Sequence, residues 1–229
     1  MNEPSIAEIN RDTFWTLIGQ AREQCGQDLD ASAQWLKNCL LAMEPQQSQN
    51  FHDILHAYMD AANKYGLWTA GEIMCEYGCT DDGFMDFRAW VIAQGKEVYL
   101  AALNDPDSLA DVPAYGGCQF ESLLYIGDIA YEELTGRSTY DDIDKAAYKK
   151  LKAEIKQSIT YGDGIGYPYS GTDISAYLPR LCHKNFTEAE ILFNLSRRQI
   201  WNSTAPEIKR ARKSEKKSKK VQQRKGDAR

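Results

Sequence analysis

A cluster of charged residues lies at the predicted start of a helix, and it is the best candidate for a functional site in the chain. Thr80 is followed by Asp81 and Asp82, and Arg88 lies about one and a half turns further along. Thr80 is predicted to cap this helix, with both carboxylates at its positive end. Carboxylates serve as acid, base or metal ligand, and Arg88 could hold an anion. These residues and Glu121 predict an enzymatic site only if they converge in one pocket.

A simpler interpretation is that the carboxylates complement the helix dipole and that Arg88 seals the edge of the core. A third interpretation is a docking surface, in which paired opposite charges lie beside exposed aromatic edges. The residues predicted to bind a partner on that basis are Asp81, Asp82, Arg88, Trp90 and Glu121.

His52 and His56 stand four residues apart, a spacing that lets two imidazoles reach one metal ion from one helix face. The glutamate of the zincin motif is missing beside the first histidine, and a third ligand such as Asp60 would be required. Both histidines lie about 100° or more from the centre of the apolar stripe of their helix. We therefore predict surface positions for both histidines and no metal site.

Cys75 and Cys79 form a lone pair with three residues between them, whereas zinc sites usually have two pairs with two residues between. Core packing for Cys75 and a turn position for Cys79 are the favoured interpretations. The six cysteines show no disulfide framework, which indicates reduced thiols in a cytoplasm.

A glycine-rich loop at 162–166 could wrap a phosphate, but no Lys-Ser/Thr follows it and no strand precedes it. We interpret it as a flexible connector. Tyr161, Tyr167 and Tyr169 beside it could form a stacking surface or pin the loop to the domain.

Helical periodicity dominates the chain, and no stretch alternates long enough to indicate a sheet. The first helix is predicted to follow Asn10 or Asp12 as its cap. Further helices are predicted at 31–43, from Pro45 to Gly66, at 84–94, from Lys96 to before Asp105, at 120–134 with Gly136 as terminator, at 141–159, and after Thr187 as cap. The fold class is mainly α: a compact multi-helix domain of antiparallel helical hairpins with a disordered basic C-terminal tail.

Charge is divided unevenly along the 229 residues. Segment 203–229 holds 11 of the 27 Lys and Arg residues and 3 of the 33 Asp and Glu residues, so it carries +8. The remainder has 16 bases and 30 acids, a formal charge of −14. An acidic body of this kind repels nucleic acid, whereas the tail could contact anionic polymers nonspecifically. No apolar run is long enough for membrane insertion, and Glu3 and Glu8 argue against a signal peptide.

The segment from Gly78 to Gly95 resembles a bacterial domain-of-unknown-function family, number 4240. The resemblance extends to Phe14-Trp15-x-Leu-Ile, Leu67-Trp68, Asn104 to Leu109 and Phe120 to Tyr125, with Tyr177 to Leu181 as a late addition. It implies a compact helical domain, but no activity, cofactor or catalytic residue.

Three parts follow from these patterns: a family-like helical core at 1–136, a helical extension with the Gly/Tyr-rich loop at 137–202, and the tail at 203–229. We expect a cytoplasmic, nonenzymatic protein that docks a protein partner, either a regulator or an immunity protein, and needs no cofactor. The alternative is a carboxylate- or metal-dependent enzyme with a site around Asp81, Asp82, Arg88 and Glu121.

Overall fold

Local capping signals set where the main helices begin and end. The computed structural model describes residues 6, 8–75, 79–166 and 174–187. The longer helices are α1 (Arg11–Cys25), α2 (Leu29–Leu41), α3 (Pro45–Ala61), α4 (Tyr65–Met74), α5 (Asp81–Ala93), α6 (Lys96–Asn104), α7 (Ile126–Thr135) and α9 (Lys145–Gln157). Shorter ones are α8 (Thr139–Asp142), α10 (Ile174–Tyr177) and α11 (Pro179–Asn185), with 3-10 turns at Pro106–Asp111, Gly116–Cys118 and Glu121–Leu124. The described residues include no strand, so the predicted mainly α class is confirmed.

Three predicted helix ends are confirmed because the groups that stop a helix lie within one turn of the chain. The Asn10 side chain accepts from the backbone N–H groups of Asp12 and Thr13 at the start of α1. Pro45 opens α3. Gly136 ends α7 in the left-handed conformation, with φ of 73°.

Other predicted boundaries are wrong where packing interrupts the periodicity. The third helix ends at Ala61 rather than Gly66, and α4 already begins at Tyr65. The stretch 120–134 is a 3-10 turn followed by α7, and 141–159 is divided between α8 and α9. The helix predicted after Thr187 lies outside the described residues.

Helix α3 lies at the centre of the molecule. It packs against α7 and α9, while α2 contacts both α1, the helix before it, and α7. Its buried side joins Phe51 and Tyr58 to Phe14 of α1, with ring centroids 5.2 and 5.6 Å apart. None of the helices within the described residues is long and apolar enough to cross a membrane.

Beyond α9, the C-terminal extension is held to the core by hydrogen bonds to the segment that ends α6 and to the 3-10 turn after it. The buried Asp107 carboxylate accepts from the backbone N–H groups of Arg180 and Leu181, at 3.0 and 2.9 Å, and so holds the start of α11. The Gly162 N–H donates to the Leu103 carbonyl at 3.0 Å. A side chain at Gly162 would collide with the backbone of Asn104. The loop is therefore held against α6, and its interpretation as a flexible connector is wrong.

Candidate functional site

The Thr80 turn adopts the predicted cap geometry. The Thr80 hydroxyl oxygen accepts from the Gly83 N–H at 3.1 Å, and Asp81 and Asp82 occupy the exposed first turn of α5. Just before the turn, the Trp68 indole Nε1 donates to the Cys79 carbonyl at 2.7 Å. These two hydrogen bonds satisfy the polar groups of the turn, so the start of α5 is fixed in direction.

Asp82, Asp86 and Glu121 come together beside this turn. The backbone N–H of Phe120 donates to the Asp86 carbonyl at 3.1 Å, which holds the 3-10 turn containing Glu121 against α5. Partial burial raises the pKa of the Asp86 carboxyl, and the negative charges of Glu121 and Asp82 raise this pKa further. We call the group Asp81, Asp82, Asp86 and Glu121, together with the exposed Met85, the acidic α5 surface.

Arg88 does not join the carboxylates. Its guanidinium donates from Nη1 to the Met59 carbonyl at 2.8 Å and from Nε to the Phe84 carbonyl at 3.2 Å, and its Cζ lies 4.7 Å from the centre of the Phe84 ring. Burial lowers the pKa of this half-buried guanidinium. Arg88 therefore ties α5 to the end of α3, as the simpler interpretation predicted. The enzymatic alternative loses its anion clamp.

Trp90 lies in the core and cannot touch a partner. It is 0% exposed, and its ring stacks on Phe87 with centroids 6.0 Å apart. Phe84 is also buried. The expected exposed aromatic edges are therefore absent at these three positions. The apolar group that this helix does expose is Met85, at 39%.

A stack of rings beside the acidic α5 surface was not predicted from the sequence. The Tyr65 and Trp68 rings lie parallel with centroids 6.2 Å apart, and Trp68 stacks on Phe84 at 4.9 Å. The i, i+3 spacing of Tyr65 and Trp68 on one helix was the available signal. The rings are a rigid support for the start of α5.

The surface prediction for the histidines is wrong. His52 is 2% exposed and His56 is half-buried, because α7 and α8 cover the face of α3 that lies opposite the predicted stripe. The two rings lie 4.3 Å apart, and the Tyr140 ring lies edge-on to His52 at 4.9 Å. Helix α7 comes so close that a Cβ on Gly127 would stand 2.8 Å from the Cβ of His52.

Within this cluster the hydrogen bonds differ for the two rings. His52 Nδ1 donates to the Asp53 carboxylate at 3.2 Å, and its Nε2 is buried without a partner among the described residues. His56 Nε2 donates to the Leu124 carbonyl at 3.2 Å. Burial, and then the neighbouring His52, lower the pKa of His56 to about 4.

The cysteines are free thiols. Cys75 and Cys79 are 5% and 9% exposed, and a hydrogen bond between them together with burial raises the pKa of Cys75 well above its ordinary value. The predicted core position of Cys75 is confirmed. Within the described residues there is no group of three or more His, Cys, Asp or Glu side chains arranged to hold a metal ion.

Comparison with known proteins assigns a family and nothing further. The model of a family described as "Protein of unknown function (DUF4240)" matches residues 9–133, more than half of the chain. The chain therefore belongs to this family. No curated protein and no solved structure matches it.

Proposed function

We propose that this DUF4240 protein is a nonenzymatic interaction protein of the cytoplasm, a regulator or an immunity protein, which docks a protein partner that carries a basic surface. The observation that supports the proposal best is the acidic α5 surface, where exposed carboxylates of α5 and of the 3-10 turn at 121–124 accompany one exposed methionine. Interfaces of this kind combine a desolvated apolar anchor with a charged rim.

Electrostatics favours a cationic partner. Burial raises the pKa of Asp86, and the negative charges of Glu121 and Asp82 raise it further because the three carboxylates repel one another. Among the described residues, none of the ion pairs includes a member of the acidic α5 surface. Lys or Arg side chains of a partner would relieve this repulsion and would also speed association by long-range attraction.

Geometry within α5 supplies the apolar part of the contact. Asp82, Met85 and Asp86 stand at i, i+3 and i+4, so they share one face of the helix. Met85 is flexible and polarisable, which suits a docking position. Arg88 and Trp90 support this face from behind and do not contribute to the contact itself.

The thiols support the cytoplasmic part of the proposal. All six cysteines are free, and burial raises the pKa of Cys39 and of Cys118 to about 11. Thiols of such high pKa are inert as nucleophiles and fit a structural role in a reducing compartment.

The test is affinity purification of the tagged full-length protein from its native cell, with bound proteins quantified. Asp82→Asn combined with Glu121→Gln removes two charges from the acidic α5 surface. Asp30→Asn combined with Glu23→Gln is the matched control, because Asp30 is also an exposed first-turn carboxylate. We expect a partner whose recovery falls at least tenfold with the first pair, falls at high salt, and is unchanged with the control pair.

Equal recovery with both pairs contradicts the placement of the docking surface on α5. Failure to recover any protein contradicts the interaction itself. Loss of binding in both pairs indicates that only net charge matters, which also contradicts a specific surface.

The tail is tested separately, since segment 203–229 lies outside the described residues. Its 11 basic residues predict that truncation before Ser203 weakens retention on heparin and leaves the melting temperature unchanged. Unchanged retention on heparin contradicts the proposed contact with anionic polymers.

A further inference from the structure

A second candidate site is formed by residues that do not belong to the acidic α5 surface. A cavity of about 220 Å³ opens where the first turns of α1 and α6 meet α3 and the end of α9. Its walls include Arg11 and Lys96 at the helix starts, Trp15 and Tyr58 on the floor, and the apolar Leu100 and Ile159.

The floor carries one hydrogen-bond donor, the Trp15 indole N–H, that is buried without an acceptor within the described residues. Trp15 and Tyr58 are 6% and 5% exposed, with ring centroids 4.8 Å apart. The Trp15 Nε1 is buried and makes no well-aligned hydrogen bond within the described residues. Burial raises the pKa of the Tyr58 hydroxyl, and the nearby Trp15 N–H lowers this pKa by a smaller amount. A buried donor without an acceptor is costly, so an acceptor supplied from outside would stabilise this floor.

The mouth of the cavity is positive, in contrast to the acidic body. Arg11 is exposed, forms no ion pair among the described residues and lines the cavity, and its charge lowers the pKa of Tyr58 while that of Asp12 raises it. Lys96 lies 3.4 Å from the Asp12 carboxylate, in a pair whose side chains are 50% and 90% exposed. Such a pair is weak. With Asp12 counted, the mouth carries one net positive charge.

The backbone adds to this polarity at one of the two helix starts. Asn10 caps α1 with its side chain, but the N-cap of α6 is Gly95, which has no side chain to accept from the first N–H groups. Those groups leave a partial positive charge beside Lys96.

We propose that this cavity binds a small organic carboxylate. Its negative group would lie between the Arg11 guanidinium and the Lys96 ammonium, with an oxygen within reach of the Tyr58 O–H and the Trp15 N–H. Its apolar part would pack on Leu100 and Ile159. The single net positive charge favours a monoanion over a phosphate ester, and the volume admits a ligand smaller than a drug molecule.

The experiment is a titration of the full-length ¹⁵N-labelled protein with benzoate, followed through the indole N–H signals of its five tryptophans. The Trp15→Phe variant assigns the Trp15 signal. We expect that signal to shift with saturation, and the other indole signals to stay in place. Benzamide has the same shape without the charge, and inorganic phosphate has the charge without the ring, so both should shift the Trp15 signal far less.

Two variants locate the binding groups. Arg11→Gln combined with Lys96→Gln should weaken benzoate binding at least tenfold, and both exposed positions leave the fold intact. Tyr58→Phe keeps the ring and removes the O–H, so it should weaken benzoate binding by less than the double variant does. Lys150→Gln is the control, since this lysine is 79% exposed on α9 and outside the cavity, and it should bind like the wild type.

Several results would overturn the proposal. They are the absence of saturation with benzoate, an equal response to benzamide, stronger binding of phosphate, or unchanged affinity in the Arg11 and Lys96 double variant. None of these depends on the acidic α5 surface, so the two proposals fail independently.

Discussion

Acidification is expected to destabilise the protein through His56 as the pH falls from 7 to 4.5. In the folded chain, burial and the neighbouring His52 lower the pKa of His56 from 6.5 to about 4, while the hydrogen bond to Leu124 and the carboxylates of Asp53 and Asp128 act in the opposite sense. The unfolded chain therefore takes up a proton near pH 6.5, and the folded chain only near pH 4. The contribution of neutral His56 to the free energy of unfolding is complete above pH 6.5, and it is lost as the pH falls from 6.5 to 4.

The size of the effect follows from the separation of the two pKa values. One unit of pKa is worth about 1.36 kcal/mol, so His56 alone should lower the free energy of unfolding by roughly 2.5 kcal/mol at pH 4.5. In a protein of this size, about 1 kcal/mol shifts the melting temperature by about 2 to 4 °C, so the expected fall is about 5 to 10 °C.

The assay is urea unfolding at pH 7 and at pH 4.5, followed by circular dichroism, for the wild type and for His56→Gln. The glutamine amide can still donate toward the Leu124 carbonyl but does not titrate, whereas the carboxylates titrate alike in both proteins. The wild type should lose more stability on acidification than the variant by about the amount given above. Equal losses would refute the reasoning, as would an NMR titration that places the pKa of His56 near its ordinary value.

Other perturbations test the packing, the cap and the metal content. Gly127→Ala should destabilise the fold by about 1 to 3 kcal/mol, partly offset by helix propensity, because the new Cβ would meet His52 at 2.8 Å. Gly19→Ala, where nothing lies within 4 Å of the new Cβ, should raise the melting temperature instead. A lower melting temperature of Gly19→Ala would contradict the explanation of the Gly127→Ala effect by contact with His52. Thr80→Ala should cost about 1 kcal/mol in urea unfolding without weakening partner recovery, and a neutral effect on stability would argue against the cap. Elemental analysis should find no stoichiometric zinc, and one tightly held ion per chain would overturn that expectation.

Features fixed by neighbours within one or two turns were predictable from the sequence. Asn10, Thr80 and Gly136 act on backbone groups two to four residues away, so their roles follow from residue type and position. The mainly α class follows in the same way, since periodicity is a property of the local chain.

Features that depend on which helix covers which face were not predictable. The outer side of α3 reads as a surface, yet His52 is buried there because α7 approaches at Gly127. The stretch 120–134 has continuous helical spacing, but residues 121–124 form a 3-10 turn, which the Phe120 N–H holds against the Asp86 carbonyl of α5, and α7 begins only at Ile126. The periodicity of apolar residues along a helix does not show how many other helices pack against it.

The candidate sites divide along the same line. Residue types and spacing alone identified Thr80 as a cap with Asp81 and Asp82 in the first turn of its helix, because capping needs nothing beyond that turn. Only the tertiary structure decided that Arg88 bonds to the carbonyl of Met59, 29 residues earlier, and forms no ion pair with Glu121. It also decided that Arg11, Tyr58 and Lys96 line one cavity, since their meeting depends on how α1, α3 and α6 dock. Docking is set by the burial of whole helix faces, a sum over many contacts between segments distant in the chain.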